Sequence, residues 1–399
     1  MEKKNKLSQN VVILGLVSFF NDFASEMVYP VVPIFLTTVL GAPIALVGLI
    51  EGIAESTASL LKVFSGWLSD RAQKRKIFAV YGYSFSTLAK LIIGIASGWP
   101  LVLLGRFIDR LGKGIRTSPR DALIADSTDE ASMGKAFGFH RALDTAGAVF
   151  GPLAAILLID HYGSTNLRPI FYIAFVPGVI GVILLLTLIK EKPFIANLKP
   201  PQFKLANLTP AYKIFLLVSA IFALGNSSDA FLILRAQYLG LSTTHTIFAY
   251  VVFNLVYSLL ATSLGSWSDR IGPRRLLAAG FFLFALIYLF FGINQSTTWI
   301  WWLFALYGVY MSLTEGISKA YITRIASREV IATSFGAYQT IIGICTFFAS
   351  LIAGLLWSRV NPGAPFIFGA ILALIAGTIF VLLGRSQESG EPSSTPSRP

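Results

Sequence analysis

The chain has 399 residues, of which 55% are hydrophobic and only 13% are charged. A soluble domain typically carries about 25% charged residues, so the composition excludes an ordinary soluble protein. The net charge of +12 could indicate a nucleic-acid partner. We expect none, because the basic residues are spread over loops between apolar segments, as in a membrane protein. A single cysteine, Cys345, excludes an internal disulfide and a cysteine-based metal cage.

Twelve apolar segments are each long enough to cross the hydrocarbon core, which takes about 20 helical residues. In chain order they cover residues 11–40, 43–69, 76–97, 99–118, 137–160, 168–189, 212–239, 243–268, 275–295, 298–322, 333–358 and 362–384. The first segment follows a basic stretch without a small-residue cleavage site, so we expect a retained span and not a signal peptide. The sequence therefore predicts an all-α integral membrane protein with 12 transmembrane helices.

A duplication divides these segments into two sets. Gly66, Asp70 and Arg71 recur 199 positions later as Gly265, Asp269 and Arg270, and each copy lies between two apolar segments. Parallel repeats of six helices are a recurrent architecture of secondary transporters. We therefore expect two pseudo-symmetric six-helix bundles, residues 1–189 and 212–384. A cytoplasmic linker at 190–211 would join them, and 385–399 would form a disordered cytoplasmic tail.

The distribution of Lys and Arg over the loops predicts the orientation. Nearly all basic loop residues lie on the side that holds the N-terminus, whereas the other side has only Arg168 and Arg359. Cytoplasmic loops carry the excess of Lys and Arg. We therefore expect a multi-pass protein of the cell inner (plasma) membrane with both termini in the cytoplasm.

Charged residues also occur inside the predicted spans, where each costs about 2.5–3.5 kcal/mol at the bilayer centre. Such residues normally face a cavity or a charged partner. The candidates for a solute cavity are Arg110, Lys113, Arg116, Glu51, Glu55, Asp144, Glu315 and Lys319. An alternative is that they form buried ion pairs that only fix helix packing. Lys90 is left open, because it could reach the interface or meet a carboxylate.

Three further carboxylates are candidates for proton coupling. Asp22 and Glu26 are four residues apart on one helix face and lie near mid-depth. Two like charges this close cannot both be ionised cheaply, so we expect the pair to hold a proton in at least one conformation. Asp229, also within a span, is the third candidate.

The repeated loop resembles the signature of the major facilitator superfamily, G-x-x-x-D-R-x-G-x-R-R. The second copy matches in full at Gly265, Asp269, Arg270, Gly272, Arg274 and Arg275. The first copy matches at Gly66, Asp70, Arg71 and Lys76, with Gln73 in place of the loop glycine. This resemblance implies the twelve-helix fold, a monomer, and a gating role for the loop residues. It does not imply that these residues contact the substrate.

Two shorter motifs resemble elements of the same family. Arg110-x-x-Lys113-Gly114 resembles its R-x-x-Q-G element, with Lys for Gln. Gly147, Gly151 and Pro152 resemble the G-x-x-x-G-P element of its proton-driven exporters, although Ala154 and Ala155 replace the next glycine pair. G-x-x-x-G is also a general helix-packing motif, and that alternative stays open.

The combined features predict a secondary transporter that works by alternating access. No G-x-x-x-x-G-K-[ST] loop is present, so an ion gradient is the expected energy source. Arg110, Lys113 and Arg116 favour an anionic or zwitterionic small solute. The carboxylates at mid-depth favour protons as the coupling ion, and the resemblance to proton-driven exporters favours export. The alternatives are sodium coupling, import, and transport of a cation or metal chelate. A transporter-like sensor or membrane enzyme is the alternative from another class. No cofactor or resident metal is expected.

Overall fold

A computed structural model describes residues 7–129, 132–191, 209–326 and 331–388. Twelve long helical segments follow one another in these ranges. They are α1 (Gln9–Val39), α2 (Ile44–Arg71), α3 (Arg75–Gly94), α4 (Trp99–Asp126), α5 (Met133–Tyr162), α6 (Arg168–Leu188), α7 (Pro210–Tyr238), α8 (Thr243–Ile271), α9 (Pro273–Ile293), α10 (Thr298–Ile325), α11 (Ile331–Arg359) and α12 (Ala364–Glu388). This count agrees with the twelve predicted spans.

Ten of the helices are long and apolar enough to cross a membrane. The other two, α4 and α10, are equally long, at 28 residues each. Charged residues recur along α4, and α10 is rich in Trp and Tyr, so both have lower hydropathy. Both pack among the apolar helices, α4 against α2 and α3, and α10 against α8 and α9. Their polar positions can therefore face the protein interior instead of lipid.

Two helices are interrupted, which the sequence did not predict. In α1 the helix Gln9–Val28 is followed by a short helix, Val31–Ile34, and a π-helical turn, Phe35–Val39. In α7 the helix ends at Gly225 and resumes at Ala230, so that residues 226–229 are not helical. Discontinuous spans leave backbone groups free and commonly lie at the binding sites of transporters.

The helices of each half pack mainly on one another. In the first half α1 packs on α5 and α6, and α4 packs on α2 and α3; in the second half α12 packs on α7 and α9. Between the halves, α2 packs along α11 and α5 packs along α8. The division into bundles at 1–189 and 212–384 stays a prediction, since most of the linker (192–208) lies outside the described residues. The tail 389–399 also lies outside them, and α12 runs past the expected end at residue 384.

The interface between α2 and α11 is tight towards the α1–α2 loop, which we call the closed end. A Cβ atom at Gly48 would lie 2.3 Å from the Ser350 carbonyl oxygen, and one at Gly354 would lie 3.0 Å from Cα of Ala45. The other end, near the α2–α3 loop, is called the open end. There a Cβ atom at Gly265 or Gly316 would meet nothing within 4 Å. The space between the halves therefore opens towards the α2–α3 loop.

The two copies of the repeated loop share one backbone feature. Gly272 has a φ of 92°, and Gln73, at the equivalent position of the first copy, has a φ of 52°. Glycine adopts positive φ freely, whereas other residues do so at a cost. The first copy therefore has the left-handed backbone conformation at this position, although Gln73 replaces the glycine.

Candidate functional site

A central chamber of 390 Å³ lies between the two halves. It is lined by six carboxylates, three basic side chains, several tyrosines and the non-helical residues of α7. The charged members are Asp22, Glu26, Glu55, Asp144, Asp229, Glu315, Arg110, Lys113 and Arg141. The structure thus brings most of the charged residues of the predicted spans around one cavity.

Two of the three basic side chains in the chamber are engaged by carboxylates. The guanidinium of Arg110 lies 2.8 Å from Oε1 of Glu55, on α2. The guanidinium of Arg141 lies 3.2 Å from Oδ2 of Asp144, one turn along α5. Their positive charges are largely balanced within the protein, so the remaining carboxylates outnumber the remaining basic group, Lys113.

A buried polar cluster closes the chamber towards the closed end. Arg106 makes a two-point contact with Glu51, with nitrogen–oxygen distances of 2.9 and 2.6 Å. The hydroxyl of Ser228, in the interrupted part of α7, donates to Glu51 at 3.3 Å. It also lies 3.4 Å from the hydroxyl of Tyr29, at the break in α1. The cluster therefore joins both interrupted helices to α2 and α4.

Asp22 and Asp144 face each other across the contact between α1 and α5. Their carboxyl groups are close enough to interact directly. Ser18 donates to Asp144 at 2.7 Å, and Asn21 donates to Asp22 at 3.1 Å. Ionised carboxylates only accept hydrogen bonds, so a bond between the two requires that one of them carry a proton.

Three other chamber carboxylates each accept a hydrogen bond from a tyrosine hydroxyl. Tyr250 donates to Glu26 at 2.9 Å, across the interface between the halves. Tyr257 donates to Glu315 at 2.5 Å, and Tyr307 donates to Asp229 at 2.7 Å. The sequence did not indicate a role for these tyrosines in the site, because an aromatic residue in an apolar span usually contributes to helix packing. Glu26 therefore contacts a tyrosine of the other half, and the sharing of a proton between Asp22 and Glu26 stays a prediction.

A second cavity of 330 Å³, the vestibule, leads from the chamber towards the open end. Arg141, Tyr257 and Glu315 line both cavities. Arg141 donates to the hydroxyl of Tyr257 at 2.7 Å, so the contact between them crosses from the first half to the second. We call these three side chains the bridge. Lys319, predicted for the cavity, lines the vestibule and not the chamber.

Besides Lys319, three predicted or undecided residues lie outside the chamber lining. Arg116 is buried against the Tyr83 ring and donates to Ser86 at 2.6 Å. Glu51 is held by Arg106 in the polar cluster. Lys90 is buried and donates to the Ser86 carbonyl at 2.8 Å, so it does not reach the interface.

The loop-motif residues lie near the open end, away from the chamber lining. Asp269, at the end of α8, lies 3.7 Å from the guanidinium of Arg324 on α10. The Arg71 guanidinium lies over the Trp67 ring, and Arg274 donates to the Val381 carbonyl at 3.1 Å. The side chain of Asp70 lies outside the described residues. The observed Asp269 contact joins two helices of the same half.

The glycines of the α5 motif lie against α1. A Cβ atom at Gly147 would be 2.6 Å from the Phe19 carbonyl oxygen, and one at Gly151 would be 2.5 Å from that of Phe23. The motif therefore permits a close approach of α1 and α5, which brings Asp22 and Asp144 together.

A bundle of membrane-crossing helices around a charged chamber open at one end is the arrangement of a multi-pass membrane transporter. The sequence profile of the Major Facilitator Superfamily matches residues 14–234 and 214–399. The chain belongs to this superfamily, which implies a transporter of small molecules and not an enzyme.

Relatives and solved structures agree with this assignment. The chain is 38% identical to an MFS-type transporter of Methanocaldococcus jannaschii over 391 residues, 96% of each chain. It is 26% identical to the multidrug resistance protein MdtG of Escherichia fergusonii over 294 residues, covering 70% of this chain and 71% of that protein.

Two solved structures share the fold. A POT family transporter in complex with 5-aminolevulinic acid superposes with a TM-score of 0.81 over 96% of this chain and 97% of that chain, at 11% identity. A bacterial homolog of the human lysosomal transporter Spinster superposes with a TM-score of 0.77 over 96% of this chain and 98% of that chain, at 16% identity. At such identities the likeness shows the fold alone.

Proposed function

We propose that this protein is a proton-coupled secondary transporter that exchanges protons for a small charged solute by alternating access. The observation that carries the proposal is the chamber, which lies between the halves, is lined by carboxylates and opens at one end. The open end is the side of the basic loops, so we assign it to the cytoplasm. The similarity to MdtG, a multidrug resistance protein, supports export over import.

The charge of the chamber favours a solute with a positively charged group. Arg110 and Arg141 are paired with carboxylates, and Arg116 lies outside the lining. Six carboxylates therefore face three basic groups, of which two are neutralised locally. Of the solutes that the sequence suggested, a zwitterion fits this balance, and so does the cationic alternative. A purely anionic solute fits it poorly.

The carboxyl pair of Asp22 and Asp144 is the proposed proton site. A proton held between them can leave only if both become ionised, which the surrounding charges must then stabilise. The stabilising charges are the basic groups of Lys113, Arg116 and Arg120 on α4, Lys90 on α3 and Arg141 on α5, whereas the carboxylate of Glu26 on α1 opposes the second ionisation. Because Arg141 also contacts Tyr257 in the other half, proton release at the pair can be sensed across the interface.

The test is transport in proteoliposomes with and without an imposed pH gradient, using a panel of zwitterionic, cationic and anionic solutes. Asp22→Asn should keep exchange of solute down its own gradient but lose accumulation driven by the pH gradient. Asp129→Asn is the matched control, because Asp129 is exposed and lies outside the chamber. Full pH-driven accumulation by both Asp22→Asn and Asp144→Asn would place the coupling site elsewhere. Accumulation driven by sodium alone would favour the sodium-coupled alternative.

A further inference from the structure

A side pocket of 170 Å³ opens beside the chamber within the second half of the chain. It lies among α7, α9, α10 and α11, and its lining is mostly apolar and aromatic. The lining residues used below are Phe222, Ala223, Phe281, Tyr310 and Ile342. The pocket and the chamber share Asn226, Met311, Glu315 and Thr346, so the two spaces meet along these side chains.

The aromatic wall of the side pocket is held in place by ring contacts. The ring centroids of Phe222 and Phe281 are 4.6 Å apart, and those of Phe222 and Tyr310 are 6.0 Å apart. Phe281 also packs edge-on against Phe380 of α12, at 5.7 Å. Such packed rings are rigid, and their faces and edges favour contact with a further ring.

The size of the side pocket matches a single aromatic ring. A cavity of about 150 Å³ lined by apolar side chains binds benzene and excludes water. At 170 Å³ the side pocket has comparable room. The chamber, at 390 Å³, is larger and strongly polar, so it suits a charged group and its waters.

Glu315 places a negative charge where the two spaces meet. Its carboxylate accepts from Tyr257 at 2.5 Å and lines the chamber, the vestibule and the side pocket. If a solute places its aromatic ring in the side pocket, the Glu315 carboxylate would therefore lie within a few bond lengths of the atom that joins the ring to the rest of the solute. Asn226, in the non-helical part of α7, adds an amide at the same boundary and lies 3.2 Å from the Tyr310 hydroxyl.

We propose that the side pocket is the subsite for an aromatic ring of the transported solute, and that the ammonium group of the same solute binds Glu315 and the chamber carboxylates. The proposal rests on the proposed function, because it names the substrate class of that chamber. The solute is then an aromatic amine, with or without a carboxylate of its own.

The test is binding to the full-length protein in lipid nanodiscs, measured by calorimetry with matched pairs of probes. The pairs are phenethylamine with ethylamine, and phenylalanine with alanine. Burial of one ring should make the ring-bearing member of at least one pair bind about tenfold more tightly or better than its partner. Which pair shows this preference distinguishes a cation from a zwitterion.

The variant Ile342→Phe fills the side pocket and should remove the preference for the ring. Ile344→Phe, on the same helix but exposed on the outside, is the matched control and should keep it. Ala223→Leu fills the same pocket from α7, and it replaces Ile342→Phe in the binding test if that variant does not fold. Equal binding within both pairs, no binding by either ring-bearing probe, or a preference that survives filling the pocket would overturn the proposal. In each of these cases, a pH-driven flux in the proteoliposome assay would still support the proposed transport function.

Discussion

Arg110 illustrates how one residue can serve both structure and transport. Its guanidinium is 2.8 Å from Glu55 and 4.0 Å from Asp109, and it lies 5.7 Å from the centroid of the Tyr29 ring. It still lines the chamber, so a solute can compete for Glu55 or for the guanidinium itself. Experiments on Arg110 variants are therefore needed to separate its ion pair with Glu55 from its binding of a solute.

Replacing Arg110 by alanine should abolish solute transport. Removing one partner of a buried ion pair also costs about 3–5 kcal/mol, and because Glu55 keeps 30% of its side chain exposed we expect the lower end. Thermal melting of the purified protein measures the stability loss, and vesicle flux measures transport. The double variant with Glu55→Ala should recover stability but not flux. Arg110→Lys should not restore full activity, since the planar fork that reaches two carboxylates is lost. Normal flux by Arg110→Ala would contradict a role in transport.

The partners of the charged residues on other helices could not be predicted from the sequence. Spacing along a helix reports only which residues share that helix face. It therefore placed Asp22 and Glu26 on one face but could not show that Asp22 also meets Asp144 on α5 or that Glu26 accepts from Tyr250 on α8. It likewise could not show that Arg116 packs against Tyr83 and is not part of the chamber lining. Partners on other helices are set by the packing angle and rotation of each helix, which hydropathy does not contain.

At the scale of elements, the contact between α1 and α5 determines the proposed proton site. The two glycines of the motif let the helix backbones approach closely enough for Asp22 and Asp144 to meet. The motif could be recognised in the sequence, but its helix partner could not. Long apolar runs predicted the twelve helices. The break at residues 226–229 was missed even though Asn226, Ser227, Ser228 and Asp229 form a polar run inside an apolar span.

Gly151→Ala should weaken the contact between α1 and α5. The added Cβ would lie 2.5 Å from the Phe23 carbonyl oxygen, and such overpacking costs about 1–3 kcal/mol. Gly138→Ala is the matched control on the same helix, because a Cβ there meets nothing within 4 Å. It should be neutral or stabilise α5 by about 0.5–1 kcal/mol. The measurement is the melting temperature of both variants in one detergent. If Gly151→Ala melts at or above the temperature of Gly138→Ala, the close approach is not required.

At the scale of the whole molecule, the bridge connects the two halves on the open side of the chamber. Arg141 belongs to the first half, and Tyr257 and Glu315 belong to the second. Since these side chains line both the chamber and the vestibule, a solute that enters through the vestibule passes them.

Tyr257→Phe should therefore speed access to the chamber. Loss of the hydroxyl breaks the contacts to both Arg141 and Glu315, and one hydrogen bond is worth about 0.5–1.5 kcal/mol, or a few-fold in rate. A single reporter, Thr346→Cys in a Cys345→Ser background, can be labelled with a polar thiol reagent, since Cys345 is the chain's one cysteine. Tyr238→Phe, at an exposed tyrosine, is the control. Equal labelling rates in the two variants would show that the bridge does not limit access.

The hydroxyl contact between Tyr29 and Ser228 links positions that are 199 residues apart, the same separation as the two loop motifs. The two residues are therefore equivalent positions of the duplicated halves, and we expect a contact between equivalent positions to lie on the pseudo-two-fold axis that relates the halves. When two halves rock against each other about a central fulcrum, points at the fulcrum move least and points at the ends move most. Spin labels near these two residues should keep a nearly constant separation through the transport cycle, while labels at the closed and open ends change theirs in opposite directions.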